Sequence, residues 1–215
     1  MGGKYEAAIF DLDGVLVDTA KYHYLAWLEI AKSLNFEFTQ KDNERLKGVS
    51  RMESLNILLH LGNLDLSDAE KEKIAFVKNQ RYVEYISKID EKDLLPGTIA
   101  LLEELASKGI KTAIGSASKN TPLIIERLGI KKYFGAISDG NIISKAKPDP
   151  EVFIKAASML NVLPEKCVVF EDAIAGIQAA KKAGMYAIGV GRKEDLPAAD
   201  QWITSLAEAR GSALF

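Results

Sequence analysis

Ala7-Ala8-Ile9-Phe10-Asp11-Leu12-Asp13-Gly14 decides how this chain is read. Tyr5 to Phe10 is a run of strand length, and it ends abruptly on two carboxylates one residue apart and a glycine. In extended backbone alternate side chains share a side, so Asp11 and Asp13 point the same way. Like charges so close repel, and they need a cation or a shared proton. A hard divalent ion with oxygen ligands meets that need, and Mg²⁺ favours carboxylate together with phosphate. Gly14 lets the chain turn sharply. Taken alone, Asp-x-Asp reads more simply as an Asx-type turn, so its weight comes from the rest of the chain.

Working outward, Thr19 to about Asp90 reads as helical. Tyr24, Trp27, Leu28, Ala31 and Leu34 recur at helical spacing, as do Met52, Leu55, Leu58 and Leu59. Glu70-Lys71-Glu72-Lys73 reads as a solvated helix face. Pro96-Gly97 then punctuates the chain. Beyond it, helices over Ile99–Ser107, Thr121–Leu128, Pro150–Leu160 and Ala173–Ala183 alternate with short apolar strands. Those strands are Lys111–Ser116, Gly135–Ile137, Cys167–Phe170 and Tyr186–Val190. The alternation predicts an α/β fold with a doubly wound, mainly parallel sheet. Its first strand precedes an all-helical stretch and its other strands follow it. A helical cap domain inserted after the first strand explains this, giving a core of residues 1–14 and 96–215 and a cap of residues 15–95. Both crossings would lie close together at the sheet edge. Ligands of such sheets bind outside the carboxyl ends of the strands. Here those ends carry Asp11-Leu12-Asp13, Ser116-Ala117-Ser118 and Glu171-Asp172, all polar, which points to one active site.

Glu171-Asp172 is a second carboxylate pair at a strand end, opening the next helix. Asp172 alone could be the helix N-cap, a role compatible with holding a metal. Four carboxylates at adjacent strand ends would be costly without a cation. Ser116-Ala117-Ser118-Lys119-Asn120 offers hydroxyls, backbone N–H groups and a lysine at a helix start. That set makes an anion cradle or, more plainly, a polar helix cap. Lys147-Pro148-Asp149-Pro150 holds a lysine on a stiff segment that begins a helix. Such a fixed cation would offset charge built up in phosphoryl transfer, although by itself it reads as a surface lysine.

Composition limits the classes of partner. The chain has 215 residues, with 28 Lys plus Arg against 30 Asp plus Glu and a formal charge of −2. It is 47% hydrophobic and 27% charged, as in soluble globular proteins. Near-neutral charge argues against nucleic acid as a partner. No apolar run approaches the ~18 residues of a membrane span. The single cysteine, Cys167, excludes an intrachain disulfide, and its strand-like context makes it a buried thiol in a reducing compartment. The N-terminus has no signal-peptide pattern, and cleavage there would remove Asp11, so the reading is cytoplasmic.

The four motifs in order, from Asp11 to Thr19, Ser116, Lys147 and Glu171-Asp172, resemble the haloacid dehalogenase superfamily of phosphotransferases. The resemblance covers essentially the whole chain. It implies that Asp11 is the nucleophile, becoming an aspartyl phosphate, and that Asp13 is the general acid/base. It implies Mg²⁺ held by Asp11, the Asp13 backbone carbonyl and Asp172, with Glu171 in or just beyond the coordination sphere. Ser116, the Ala117 N–H and Lys147 would cradle the transferring phosphoryl. Lys47-Gly48-Val49-Ser50-Arg51, Gly115 to Asn120, and Thr19 with His23 look like the sugar-phosphate mutases of that superfamily. This implies an isomerase converting β-D-glucose 1-phosphate to glucose 6-phosphate through the 1,6-bisphosphate. Gly48, Val49, Ser50 and Arg51, with Ser118, Lys119, Asn120 and Lys78, would then hold the substrate and its second phosphate. His23 and Lys47 would bridge cap and core, and Thr19 would tune the aspartyl phosphate lifetime. A monomer would suffice. The rival is a Mg²⁺-dependent sugar phosphatase with the same core. A catalytically silent binding module is a third reading, and the intact set of Asp11, Asp13, Lys147 and Asp172 argues against it. His60 and Leu196–Phe215 receive no role.

Overall fold

In the computed structural model, residues 4–211 are described; residues 1–3 and 212–215 of the expected core lie outside them. Strand β1 (Ala7–Phe10) is buried at every position. That burial suits a strand in the middle of a parallel sheet, which is covered on both faces and carries no polar alternation. The other strands are β2 (Lys111–Gly115), β3 (Ala136–Ser138), β4 (Cys167–Glu171), β5 (Tyr186–Val190) and β6 (Gln201–Ile203). All pair in parallel, in the order β3-β2-β1-β4-β5-β6. The doubly wound fold is as expected. The strand order reverses between β1 and β4, the switch point where such sheets open a crevice.

The period-2 alternation of β1 and β4 divides the core. Ala8, Phe10, Val168 and Phe170 face one side, with α5 (Thr98–Ser107) and α6 (Thr121–Arg127). Phe10 and Phe170 stack there, ring centres 4.8 Å apart. Ala7, Ile9, Cys167 and Val169 face the other side, with α7 (Glu151–Met159) and α8 (Ile174–Lys182). Each fully buried Phe or Ile contributes about 2 kcal/mol of transfer free energy. Cys167 is a buried free thiol, and burial pushes it up to about 12.

Between β1 and α5 stand α1 (Ala20–Ser33), α2 (Gln40–Asn43), α3 (Arg51–Leu61) and α4 (Asp68–Ile86). The expected long helical region is thus interrupted. Asn35 and Asn63 follow α1 and α3 in the left-handed conformation that asparagine tolerates. Capping boxes from Thr39 and Ser67 restart α2 and α4. These helices have a core of their own, with Trp27, Ile30, Phe38, Leu55, Leu58 and Leu59. The two crossings into this layer run side by side. Val17 bridges Leu94, and Leu95 N–H donates to Leu16 O at 3.0 Å.

Most element ends shift by about one residue from expectation, and two of these shifts bear on the site. β4 extends through Glu171, and α8 begins at Ile174 with Ala173 as its N-cap. β6 lies in a segment with no assigned role. Three residues are too few for periodicity to register, and Trp202 Nε1, donating to Leu196 O at 2.8 Å, helps to fix the strand. No helix among the described residues is long and apolar enough to cross a membrane.

Candidate active site

Sheet register assembles the carboxylates. Phe10 lies between Ile114 and Phe170, so the next residues, Asp11, Gly115 and Glu171, emerge side by side at the switch point. Asp11 N–H donates to Phe170 O at 2.9 Å. Asp11 is 5% exposed and Glu171 0%. Lys147, itself 2% exposed, lies between them, with Nζ 2.5 Å from Asp11 Oδ1 and 2.8 Å from Glu171 Oε2. Burial alone would lower this ammonium, but the charges of Asp11 and Glu171 outweigh it and hold it above the ordinary lysine value. Thus Lys147 is no surface residue. Glu151, in the first turn of α7, anchors its loop by accepting from Ser144 N–H at 3.0 Å and Lys145 N–H at 2.7 Å.

Asp172 is not the helix cap. The N-cap of α8 is Ala173, which makes no side-chain cap bond. Glu171 Oε1 accepts from Ala173 N–H at 3.1 Å in a local turn, and the Asp172 carboxylate is not used in capping. Gly14 makes room for that group. It has φ +84°, and a Cβ there would lie 2.2 Å from Asp172 Oδ2. One carboxylate oxygen each from Asp11, Glu171 and Asp172 lie within 4.8 Å of one another. Burial first, and the Asp11 charge second, push both Glu171 and Asp172 above the ordinary carboxylate range. A hard, oxygen-loving divalent cation fits this donor set, and its charge would offset both shifts.

Asp13 opens partly onto the cavity but is otherwise enclosed. Its Oδ1 accepts from Thr19 Oγ1, and Tyr82 OH lies 3.5 Å away. Burial, followed by the charge of Asp11, raises its carboxyl to about 7. A carboxyl that titrates near neutrality can both give and take a proton. Beyond β2, Ser116 Oγ accepts from Ser118 N–H at 3.1 Å, and Ser118 Oγ accepts from Asn120 N–H at 3.2 Å. These two turns curl Ser116–Asn120 into a concave loop, a shape suited to an anion.

A cavity of about 500 Å³ lies above these loops, closed over by α3 and α4. It is lined by all the residues singled out in the sequence except Thr19, Lys147 and Glu171. Thr19 is bonded to Asp13, Lys147 to Asp11, and Glu171 to Lys147. Ser50 caps α3, accepting from Glu53 N–H at 3.2 Å, and so sets Gly48, Val49 and Arg51 at the wall. Lys47 Nζ reaches across to Asp172 Oδ2, 3.9 Å away. His23 meets Lys78 Nζ at 2.8 Å through Nδ1 and lies against Tyr82 with ring centres 3.9 Å apart and the rings tilted by 34°. Burial first, then Lys78 and Arg51, keep its imidazole well below the ordinary value. Lys78 is 2% exposed and lies 4.7 Å from the ring centres of both Trp27 and Tyr82. Burial, and secondarily Arg51, lower it to about 7.

Sequence reasoning missed Trp27, Asn43, Asn79 and Tyr82 as cavity residues. Tyr82 had one available signal, its position four residues after Lys78 on the same face of α4.

A doubly wound sheet with carboxylates and a buried lysine at its strand ends, under a helical layer, is the architecture of a capped phosphoryl-transfer enzyme. The chain belongs to the haloacid dehalogenase-like hydrolase family, whose description matches residues 5–184. It is 47% identical to the β-phosphoglucomutase of Bacillus subtilis over 91% of this chain and 87% of that protein. It also resembles the crystal structure of β-phosphoglucomutase from Clostridium difficile, with a TM-score of 0.93 and 43% identity over 96% of this chain and 94% of the other. A phosphorylated carbohydrates phosphatase of Thermotoga maritima is 35% identical over 84% of this chain and 82% of its own length.

Proposed function

We propose that this protein is a mutase that converts β-D-glucose 1-phosphate to glucose 6-phosphate in the cytoplasm, acting as a monomer. Residues 15–95 serve as a cap closing over a core of residues 1–14 and 96–215. The observation that carries the reading is Lys78. It is a buried ammonium whose hydrogen bond goes to neutral His23 rather than to a carboxylate, and it shares one cavity with Asp11 and Asp13. Such a cation calls for an anionic ligand. With Arg51, it puts two cap cations on the wall of the cavity that Asp11 and Asp13 also line, which supports a second anion site of the kind a bisphosphate requires.

Asp11, when phosphorylated, gives its phosphoryl group to the 6-hydroxyl of β-glucose 1-phosphate, and Asp13 takes the hydroxyl proton. The bisphosphate turns over in the closed cavity. The freed Asp11 carboxylate then attacks the 1-phosphate, the bond to O1 breaks, and Asp13 returns the proton to O1. Splitting the transfer in two lowers each barrier. Ser116 Oγ, the Ala117 N–H and Lys147 hold the phosphoryl oxygens, while Arg51, Ser118, Lys119, Asn120 and Lys78 hold the other phosphate. Arg51 suits that site because a guanidinium binds phosphate bidentately. Mg²⁺, held by Asp11, the Asp13 carbonyl and Asp172 with Glu171 beside them, would neutralise and orient the phosphoryl oxygens. Thr19 keeps Asp13 withdrawn until sugar arrives, and His23 and Lys47 couple that change to closure. Closure excludes water, so sugar is the preferred acceptor.

The test supplies β-glucose 1-phosphate, Mg²⁺ and a trace of the 1,6-bisphosphate, with glucose 6-phosphate and free phosphate followed together. Rapid glucose 6-phosphate with little free phosphate is expected. Free phosphate at an equal or greater rate would instead make the protein a sugar phosphatase. Full activity of Asp11→Asn would refute the scheme.

A further inference from the structure

Asn120 occupies the N-cap of α6. Asparagine there ordinarily accepts a hydrogen bond from the first turn of its own helix. This one makes no side-chain cap bond. Its Nδ2 instead donates to Asn79 Oδ1 on α4, 2.9 Å away and 41 residues distant in sequence. Thr19, just before α1, bonds Asp13 directly. From the helical layer above, Tyr82 OH lies 3.5 Å from Asp13 and Lys47 lies 3.9 Å from Asp172, both farther than Asn79 from Asn120. The Asn79–Asn120 bond is neutral, so closing it neither competes with a cation at Asp172 nor changes the charge of the cavity.

The geometry points to Asn79 as a positioning residue, a latch that couples anion binding at the Ser118–Asn120 loop to closure of the cap. This rests on the mutase reading above. An amide nitrogen carries two hydrogens. One Asn120 Nδ2–H serves Asn79, and the second remains for a phosphate oxygen in the cavity that both residues line. A phosphate on Asn120 therefore fixes the amide plane that Asn79 needs, and a closed latch in turn aims Asn120 at the phosphate. Lys78 adjoins Asn79 on α4, so the latch also sets the depth at which that ammonium enters the cavity. By linkage, whatever each contributes to the other is reciprocal.

The experiment compares Asn79→Ala and Asn79→Asp with the unaltered protein in three assays. The first is the ratio of free phosphate to glucose 6-phosphate formed from β-glucose 1-phosphate. The second is phosphorylation of Asp11 by acetyl phosphate, a donor too small to need the second anion site. The third is hydrogen exchange of α4 and of Asn120–Thr121 without substrate. One neutral hydrogen bond biases an equilibrium about fivefold. Asn79→Ala is therefore expected to raise the phosphate-to-product ratio and the exchange rates about fivefold, leaving the acetyl phosphate reaction within twofold. Asn79→Asp keeps the accepting oxygen, so it should retain slow exchange and the original ratio while raising KM through its charge. An unchanged ratio in Asn79→Ala, or an equal loss in the acetyl phosphate reaction, overturns the latch. If the unaltered protein forms no glucose 6-phosphate, the mutase reading fails by itself. The latch then stands or falls on whether Asn79→Ala alone speeds exchange.

Discussion

Replacing Lys78 by Met should make the ligand-free protein more stable. Lys78 is 2% exposed, and its ammonium is lowered from the ordinary 10.5 to about 7. At pH 7 that gap corresponds to about 4 kcal/mol of destabilisation, because the unfolded chain holds the proton freely and the folded one does not. The faces of Trp27 and Tyr82, each 4.7 Å from Nζ, return about 1 kcal/mol apiece. Roughly 2 kcal/mol of net cost remains, and a flexible apolar side chain of similar length removes it. For a chain of this size that gain raises Tm by about 4–8 °C. The pH dependence has a definite sign. Folded Lys78 releases its proton near pH 7 and the unfolded lysine near 10.5, so between these values the unfolded state binds more protons. Stability of the unaltered protein therefore rises with pH, and the advantage of Lys78→Met should narrow between pH 7 and 9. Urea unfolding of both proteins at several pH values reads this directly. A variant that is less stable at pH 7, or a gap that is constant with pH, would refute the account of Lys78 as a strained, unpaired cation.

Lys147→Met strands two buried carboxylates, so it should lower stability by about 3 kcal/mol in chelator and by much less in Mg²⁺; thermal melts under both conditions compare the two. Gly176→Ala places a Cβ 1.9 Å from Glu171 Cδ and must push that carboxylate aside; calorimetry should find Mg²⁺ affinity reduced at least tenfold in a chain that still folds. Arg51→Ala should slow the mutase reaction far more than phosphorylation of Asp11 by acetyl phosphate, and equal losses would remove Arg51 from the second phosphate site.

The core was legible because its signals are local. An apolar run ending in carboxylates marks both β1 and β4, and Pro96-Gly97 marks the return to the sheet. Asp172 was legible as a carboxylate but ambiguous in role, since an acidic residue before a helix is a good cap. Only the folded geometry shows that α8 starts one residue later, with Ala173 as its N-cap and no side-chain cap. The cap was harder to read. In α4, Asp68–Ile86, Lys78 looks like any of the charged residues around it, and its burial comes from Trp27 and His23 on α1. Asn79 is likewise an ordinary polar residue of α4, and its meeting with Asn120, already marked out in the sequence, appears only when the fold brings α4 against the loop before α6. Short-range pattern thus predicts which residues end strands, whereas long-range packing decides which polar residues of the cap face inward.

The two ends of the cavity are unbalanced in opposite senses. At the sheet, Asp11, Glu171 and Asp172 share one buried ammonium, Lys147, and a divalent cation would complete that end. At the cap, burial and then the charge of half-buried Arg51 lower Lys78, with Asp13 offsetting only part of this, and the group bonded to Lys78 is a neutral histidine. A phosphatase acting on a monophosphate needs only the first end, because its leaving group carries no charge to be held. Maintaining strained cations in the cap is a cost without return for such an enzyme. It is useful when the ligand bears phosphate at both ends and must present each in turn to Asp11. Under the proposed function, the cap would hold the 1-phosphate in one orientation and the 6-phosphate in the other. The strain at Lys78 would then be relieved in both, so that neither bound orientation would become a trap.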